Sequence, residues 1–486
     1  MRTLSDPELA RLCDLFARHM GLSFPKERWD SLDSALAAAS RRFKFGDPRA
    51  FAAWLLSSPL HRQQVEVLAG YLTIGETYFF RDPRTLDVAQ KELFSPLVAA
   101  RRWRQRRLRI WSAGCSSGEE PYTLAILLDR MLPEIARWNI TILATDLNPD
   151  ALGKGVAGRY GKWSFRATPS WFREQYFESS REDEFRVIDR VRRMVSFAYL
   201  NLADDRYPSL ITNTNAMDVI FCRNVLMYFT PDVAREVASK LERSLADDGW
   251  LILGPAESLP RGFLHLKPVS FGGVVAYRKH VRQQAAPPSR AAGRELAEAV
   301  PGAPAVEEEA AAAKPPPPSF PAAANLFRLG EYAEAARQLE GIGAAGSLTA
   351  DGRSLLVRAL ANGGRLDEAL AACDAALAGE KLDPALHVMR AEILQEKGEG
   401  TEARASLQRA LYLDPCLVPA HFALGNLALW SGDVPGACRH FENARRLLDP
   451  LPAEAEVPGS EGMSAGRLRE VLDSMAVCTG QGTGGR

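Results

Sequence analysis

Gly330, Gly364, Gly398 and Gly432 stand 34 residues apart, and Ala335, Ala369, Ala403 and Ala437 keep the same step. Ala376, Ala410 and Ala444 keep it again, and Ala391 and Gly425 match at a further position. A 34-residue period is that of the tetratricopeptide repeat (TPR), a pair of antiparallel helices. Small residues belong where the two helices cross closely, and glycine closes the first helix of each pair. Leu413-Asp-Pro415 ends one repeat, because proline cannot continue a helix. Generic Ala-rich helices do not bring so many small-residue positions into phase. Residues 321–450 are therefore expected to form an α-solenoid, whose concave surface binds peptides or partner proteins and rarely does chemistry. Residues 451–486 are expected to be a partly disordered tail.

The most abrupt change of composition precedes the repeats. Residues 281–320 hold Pro287-Pro288, an acidic run at 307–309, alanines at 310–313 and prolines at 315–318. Such a segment cannot bury enough apolar surface to offset its ordering entropy, so it reads as a disordered Pro/Ala linker. It also divides the charge. The 60 basic and 60 acidic residues cancel over the whole chain, but residues 1–280 carry 40 and 33, and residues 281–486 carry 20 and 27. A +7 module is thus joined to a −7 module, and neither is extreme enough to imply nucleic acid. The seven cysteines are too scattered for a disulfide framework, and no Cys/His cluster has zinc spacing, so no metal is expected. Without a signal-peptide core or a run of 18 apolar residues, the chain is expected to be cytoplasmic, with no membrane insertion.

Upstream of the linker, residues 1–82 read as helical, with Leu9, Leu12, Leu15 and Phe16 at helical spacing and Leu32, Leu36 and Phe43 more loosely so. Residues 83–280 then alternate between strand and helix. Strands are predicted at 108–112, 140–145, 216–221 and 249–254, and a helix at 121–131. That alternation predicts a doubly wound, parallel-rich, Rossmann-like sheet. Six arginines between 101 and 109 read as a solvated approach to the first strand.

The turn after the first predicted strand reads Trp111-Ser-Ala-Gly114-Cys-Ser-Ser-Gly118-Glu119-Glu120-Pro121. Glycines there let the backbone approach a ligand closely. The second strand ends in Asp146, a carboxylate able to accept two hydrogen bonds from ribose hydroxyls. Together they suggest a nucleoside-containing cofactor. No Gly-Lys-Ser/Thr follows, which argues against a phosphate-gripping loop, and the full Gly-x-Gly-x-x-Gly spacing is missing. Glu119-Glu120 would repel a pyrophosphate and favour a cation, such as the sulfonium and ammonium of S-adenosylmethionine. Alternatively, both glutamates are a solvated helix start, favoured by the helix dipole.

Four motifs in order carry a resemblance: Thr73-Ile-Gly-Glu-Thr77-Tyr-Phe-Phe-Arg81, the 111–122 turn, Ala144-Thr-Asp146, and Phe221-Cys-Arg-Asn224-Val-Leu-Met-Tyr228-Phe. Over residues 5–280 the chain resembles CheR, the chemotaxis receptor glutamate methyltransferase family, in the form that carries tetratricopeptide repeats. The resemblance implies an N-terminal helical domain, a methyltransferase domain with a small β-subdomain at about 159–200, and S-adenosylmethionine as cofactor, leaving as S-adenosylhomocysteine. It implies protein-glutamate O-methyltransferase activity on a methyl-accepting chemotaxis receptor or related chemosensory protein. The partner of the repeats is not implied. The resemblance places Gly75, Thr77, Arg81, Glu120, Asp146, Asn201, Leu202, Asn224 and Val225 at the cofactor, and Arg81 and Tyr228 at methyl transfer. Gly75 departs from the Asn common in receptor-modifying members. A basic helical face at Arg41, Arg42, Lys44 and Arg49 matches the family's receptor-facing helix or is simply solvated. Residues 178–185 lack the glycine-rich loop that grips a receptor's C-terminal pentapeptide in some members, so no pentapeptide docking is expected. Two other functions remain alongside: methylation of a non-receptor signalling protein, and a cofactor-sensing scaffold with little catalysis.

Overall fold

The computed structural model describes residues 2–102, 106–181, 183–203, 207–209, 212–259, 262–263, 265–280, 318–460 and 463–478. The linker expected at 281–320 therefore lies outside the described residues up to 317.

The chain opens with α1 (Asp6–Met20), α2 (Trp29–Arg42), α3 (Pro48–Leu55) and α4 (Arg62–Leu72). Leu9, Leu12, Leu15, Phe16, Leu32, Leu36, Phe51 and Leu68 are buried together in a core of their own. The helix starts follow local chemistry. Ser5 and Glu8 form a capping box at α1, and Asp47 caps α3 ahead of Pro48. α5 (Pro83–Val88) runs through a π-helical turn at Ala89–Phe94 into α6 (Ser95–Arg101).

The central domain follows as β1 (Arg107–Ala113), α7 (Glu119–Met131), β2 (Asn139–Asp146), α8 (Pro149–Ala157), β3 (Arg159–Gly161), α9 (Ser170–Tyr176), β4 (Phe177–Arg181), β5 (Glu184–Val187), α10 (Asp189–Arg192), β6 (Val195–Tyr199), β7 (Met217–Cys222), α11 (Pro231–Ser244), β8 (Leu245–Leu253), β9 (Leu266–Phe271) and β10 (Val274–Lys279). The main sheet has the order β6-β2-β1-β7-β8-β10-β9. It is parallel from β6 to β8 and closes with an antiparallel hairpin. Every residue of β1 is buried, as a central strand covered on both faces requires. Its alternate residues feed two cores: Leu108 and Ile110 pack with Ile142, Val219 and Phe221, while Trp111 and Ala113 pack with Leu143 and Ile220.

The structure revises the expected β-subdomain. β3, β5 and β4 form a separate antiparallel sheet, but β6 lies beside β2 in the main sheet. The subdomain thus stops short of 200. The 195–199 segment lacks the long apolar run that marks a buried strand, because β6 is an edge strand with its three middle residues half-exposed.

The repeats form α12 (Phe320–Leu329), α13 (Tyr332–Ala344), α14 (Ala350–Asn362), α15 (Leu366–Gly379), α16 (Pro384–Lys397), α17 (Gly400–Leu413), α18 (Val418–Trp430) and α19 (Val434–Leu448). Gly330 and Gly398 adopt the left-handed conformation as helix caps. α20 (Ala465–Cys478) follows, and Val457, Met463, Leu468 and Leu472 pack into the core of the last repeat. Residues 479–486 lie outside the described part.

Candidate functional site

The strand order reverses direction between β1 and β7, the place where an open α/β sheet leaves a crevice at its C-terminal edge. A cavity of about 1360 Å³, including its open mouth, lies there. It is walled by the turns after β1, β2 and β7, by the 72–81 segment, and by Leu22, Ser23, Phe24 and Arg28 of the N-terminal domain. Gly75, Thr77, Arg81, Glu120, Asp146, Asn201, Leu202, Asn224, Val225 and Tyr228 all line it. The fold thus gathers around one space residues that the sequence separates by up to 153 positions.

Each wall has a local cause. Gly114 has φ 81°, and a Cβ there would collide with Val225 Cγ2. Only glycine lets the first turn pass so close to the third. The amides of Gly114 and Cys115 both donate to the Thr145 carbonyl, 2.8 and 2.9 Å, which ties the first turn to the end of β2. Asp146 sits at that end. Its carboxylate accepts from the backbone amides of Ser116 (2.7 Å) and Asn148 (2.9 Å). Burial pushes the Asp146 carboxyl above its ordinary range, and these amides pull back without cancelling the effect.

The two adjacent glutamates separate. Glu120 faces the cavity, accepting from Ser112 Oγ (2.7 Å) and from Arg223 Nη1 (3.1 Å). Glu119 is turned away and 3% exposed, holding Ser117 Oγ (2.8 Å) and Ser164 Oγ (3.1 Å). Burial raises its carboxyl. Neither is a merely solvated helix start, and only Glu120 presents charge to a ligand.

Two further residues organise the site without having been singled out from sequence. Arg223, buried just after β7, reaches Glu120, the Arg81 carbonyl (3.0 Å) and Asp82 Oδ2 (3.3 Å). It clamps a strained segment, since Phe80 and Asp82 both have positive φ. Glu257, after β8, accepts from the amides of Asn224 (2.6 Å), Val225 (2.9 Å), Met227 (3.1 Å) and Gly254 (2.8 Å). It holds Asn224 in its left-handed conformation. The signal for Arg223 was its place beside Asn224. Glu257 carries no signal for this role, because three of its four partners lie about thirty residues away.

Arg81 donates to the Glu76 carbonyl (2.5 Å), and among the described residues no carboxylate pairs with it. Thr77 lines the same segment, and Gly75 accepts from Ser116 Oγ through its carbonyl (3.2 Å). On the far wall, the Asn201 side chain bonds the His19 carbonyl (2.8 Å) and the Ala203 amide (3.1 Å). Tyr228 stands under the Arg28 guanidinium, 5.6 Å from its ring centre, and the Tyr228 carbonyl accepts from the Ser23 amide (2.7 Å). The N-terminal domain is thus stitched onto the cavity rim. Arg41, Arg42 and Lys44 stand at the end of α2 and just beyond it, outside that rim.

The donor set fits a cationic nucleoside cofactor. It offers a ribose-competent carboxylate, an inward glutamate, glycine-thinned backbone and apolar walls from Leu200, Leu202 and Val225. The family model described as CheR methyltransferase, SAM binding domain, matches residues 75–271. The chain is 30% identical to a probable biofilm formation methyltransferase, WspC, of Pseudomonas putida, over 81% of this chain and 88% of that one. It is 29% identical to a chemotaxis protein methyltransferase of Borreliella burgdorferi, over 53% of this chain and 89% of that one. Among solved structures, a thermophilic TPR protein of Thermus thermophilus aligns with 33% of this chain and 81% of its own, at 18% identity and a TM-score of 0.27.

Proposed function

The chain belongs to the CheR methyltransferase family and uses S-adenosylmethionine, and from that premise we propose that it methylates glutamate side chains of a chemoreceptor-type protein. When bound, the cofactor supplies a methyl group already activated on a sulfonium. A glutamate side chain is ionised at neutral pH, so no general base is needed. What this chain contributes is position. Asp146 would hold the ribose hydroxyls, Glu120 would face the methionine end, and Asn201 and Leu202 with Val225 would supply adenine and methionine contacts. Asn224 and Thr77 complete the contacts, with Gly75 contributing backbone.

One observation carries the choice of substrate. Arg81 lines the cavity with its guanidinium unclaimed by any described carboxylate, whereas Arg223 beside it is held by two. Arg81 is thus placed to take an incoming carboxylate by charge-assisted hydrogen bonds. Tyr228 completes the mouth opposite, steadied by Arg28. The acceptor oxygen so held would take the methyl group as the sulfonium gives it up, with a methyl ester and S-adenosylhomocysteine as products.

The test is transfer of labelled methyl into a chemoreceptor cytoplasmic fragment, released as methanol by base. Arg81→Ala should lower the rate on the order of 10²-fold, more than it weakens S-adenosylhomocysteine binding. An unchanged rate would remove Arg81 from the reaction. The short β4–β5 turn supports the expectation that no receptor pentapeptide docks there, and a titration with such a peptide checks it. A second reading follows from the P. putida relative, whose match extends into the repeats and whose name refers to biofilm formation. It gives a receptor of an attachment pathway as substrate. Loss of attachment with swimming intact in a deletion strain would favour it.

A further inference from the structure

The repeats do not hang free. Arg107 begins β1, Asn139 begins β2 and Asn215 lies just before β7, so all three stand at the N-terminal edge of the sheet, opposite the cavity. All three converge on Glu396 at the end of α16. Its carboxylate accepts from Arg107 Nη2 (2.7 Å) and Asn215 Nδ2 (2.7 Å), and its carbonyl accepts from Asn139 Nδ2 (2.8 Å). Arg107 is 5% exposed and Glu396 8%. At the sheet's other end, Arg243 donates to the Arg328 carbonyl (3.0 Å), and His265 meets Glu331 (3.0 Å). The cavity beside Glu396 is shared by Arg109 of the sheet and by Phe422 and Asn426 of α18. α16 and α18 are first helices of their repeats, which line the concave side of such an array. The surface that sequence assigns to partners is thus already occupied by the catalytic module.

Three features make this dock exchangeable. The hydrophobic cores on the two sides share no residue. The contacts named above are ion pairs and hydrogen bonds, the composition of reversible interfaces, and beyond them α20 lies against β6 and α8. The fit is incomplete too, because Arg107 Nε, Arg109 Nε and Gln395 Nε2 are buried with no partner. On the repeat side, Glu396 offers only acceptors, and everything meeting it is a donor.

We propose that the concave face of the repeats is a receptor for an arginine-bearing protein segment, filled here in cis by Arg107, and that a partner segment presenting an arginine to Glu396 replaces the catalytic module. The linker lets this happen without separating the two, since 37 residues join His280 to Pro318. Partner capture by the repeats and release of the sheet edge are then one event.

The test uses the full chain and reads hydrogen exchange and small-angle scattering, so it is independent of which substrate is methylated. Glu396→Arg sets like charges against each other. Exchange over residues 107–109 and 392–396 should quicken on the order of tenfold or more, with a larger radius of gyration. Unchanged circular dichroism and S-adenosylhomocysteine binding would show that both modules remain folded. The charge swap Arg107→Glu with Glu396→Arg should restore protection. The peptide Arg-Arg-Leu-Arg-Ile, copied from residues 106–110, should open the wild-type chain at millimolar concentration, and the same peptide with Ala at its second arginine should not. A compact Glu396→Arg chain, a swap that restores nothing, or an inert Arg peptide would each overturn the proposal.

Discussion

Single residues at the cavity carry opposite demands, and Asp146 shows them most clearly. It is half-buried at the end of β2, and that desolvation favours its protonated form, yet its use as a ribose acceptor requires the ionised form. Its carboxyl therefore titrates above the ordinary value of 3.8. Affinity for S-adenosylhomocysteine should be full at neutral pH and fall on acidification, starting at a higher pH than an ordinary aspartate would allow. Asp146→Asn should bind more weakly at neutral pH, and its affinity should no longer change across that window. Isothermal titration at a series of pH values measures both, and a parallel fall in the variant would assign the dependence to another group. Residue identity was legible here for most positions inside a motif, Arg223 excepted. Arg101, Arg107 and Arg109 were not, for charge alone predicts a solvated run. In the structure Arg101 pairs bidentately with buried Asp218 (2.6 Å to each oxygen), Arg107 meets Glu396, and Arg109 is 2% exposed against Asn213 and Asn215. A buried arginine is stable only with partners, and those partners lie more than one hundred residues away.

Among the elements, the repeat helices show how a period becomes packing. Gly425 and Ala391 occupy the same phase, and so do Phe441 and Leu407. A Cβ on Gly425 would run into the Phe441 ring. Ala391 is tolerated one repeat earlier because the smaller Leu407 stands in that place, with both residues buried in a shared cluster. The two pairs are volume compensations within one design. Gly425→Ala should destabilise the repeats by about 1–3 kcal/mol through overpacking, although alanine favours a helix. Adding Phe441→Leu should recover part of that loss. Urea denaturation followed by circular dichroism decides it, and a stabilised single variant would show that α18 and α19 separate freely. Element type and order followed from periodicity in this region, whereas β6 escaped notice because its five residues are a short, half-exposed edge strand without a long apolar run.

At the scale of the molecule, the cores of the two modules share no residue, although α20 also lies against β6 and α8, and separate cores imply separable stability. Scanning calorimetry of the full chain should resolve two transitions, one for the N-terminal and catalytic cores and one for the repeats. A single transition whose calorimetric and van't Hoff enthalpies agree would show that the dock couples them into one unit. No helix among the described residues is long and apolar enough to cross a membrane. The opposite net charges of the two modules agree in sign with the acceptor-lined repeats meeting an arginine-lined sheet edge. By itself, the sequence determined the solenoid, the alternation of strand and helix around β1, β2, β7 and β8, and ten of the residues that line the cavity. Periodicity, capping and glycine turns act over a few residues and need no knowledge of the rest. Only the tertiary structure decided that Glu119 turns inward while Glu120 faces the cavity, that Arg223 and Glu257 hold the walls, and that the concave face of the repeats lies on the sheet. Those outcomes depend on burial and on contacts between distant segments, such as Arg107 and Glu396, whose energies exist only once the chain has brought them together.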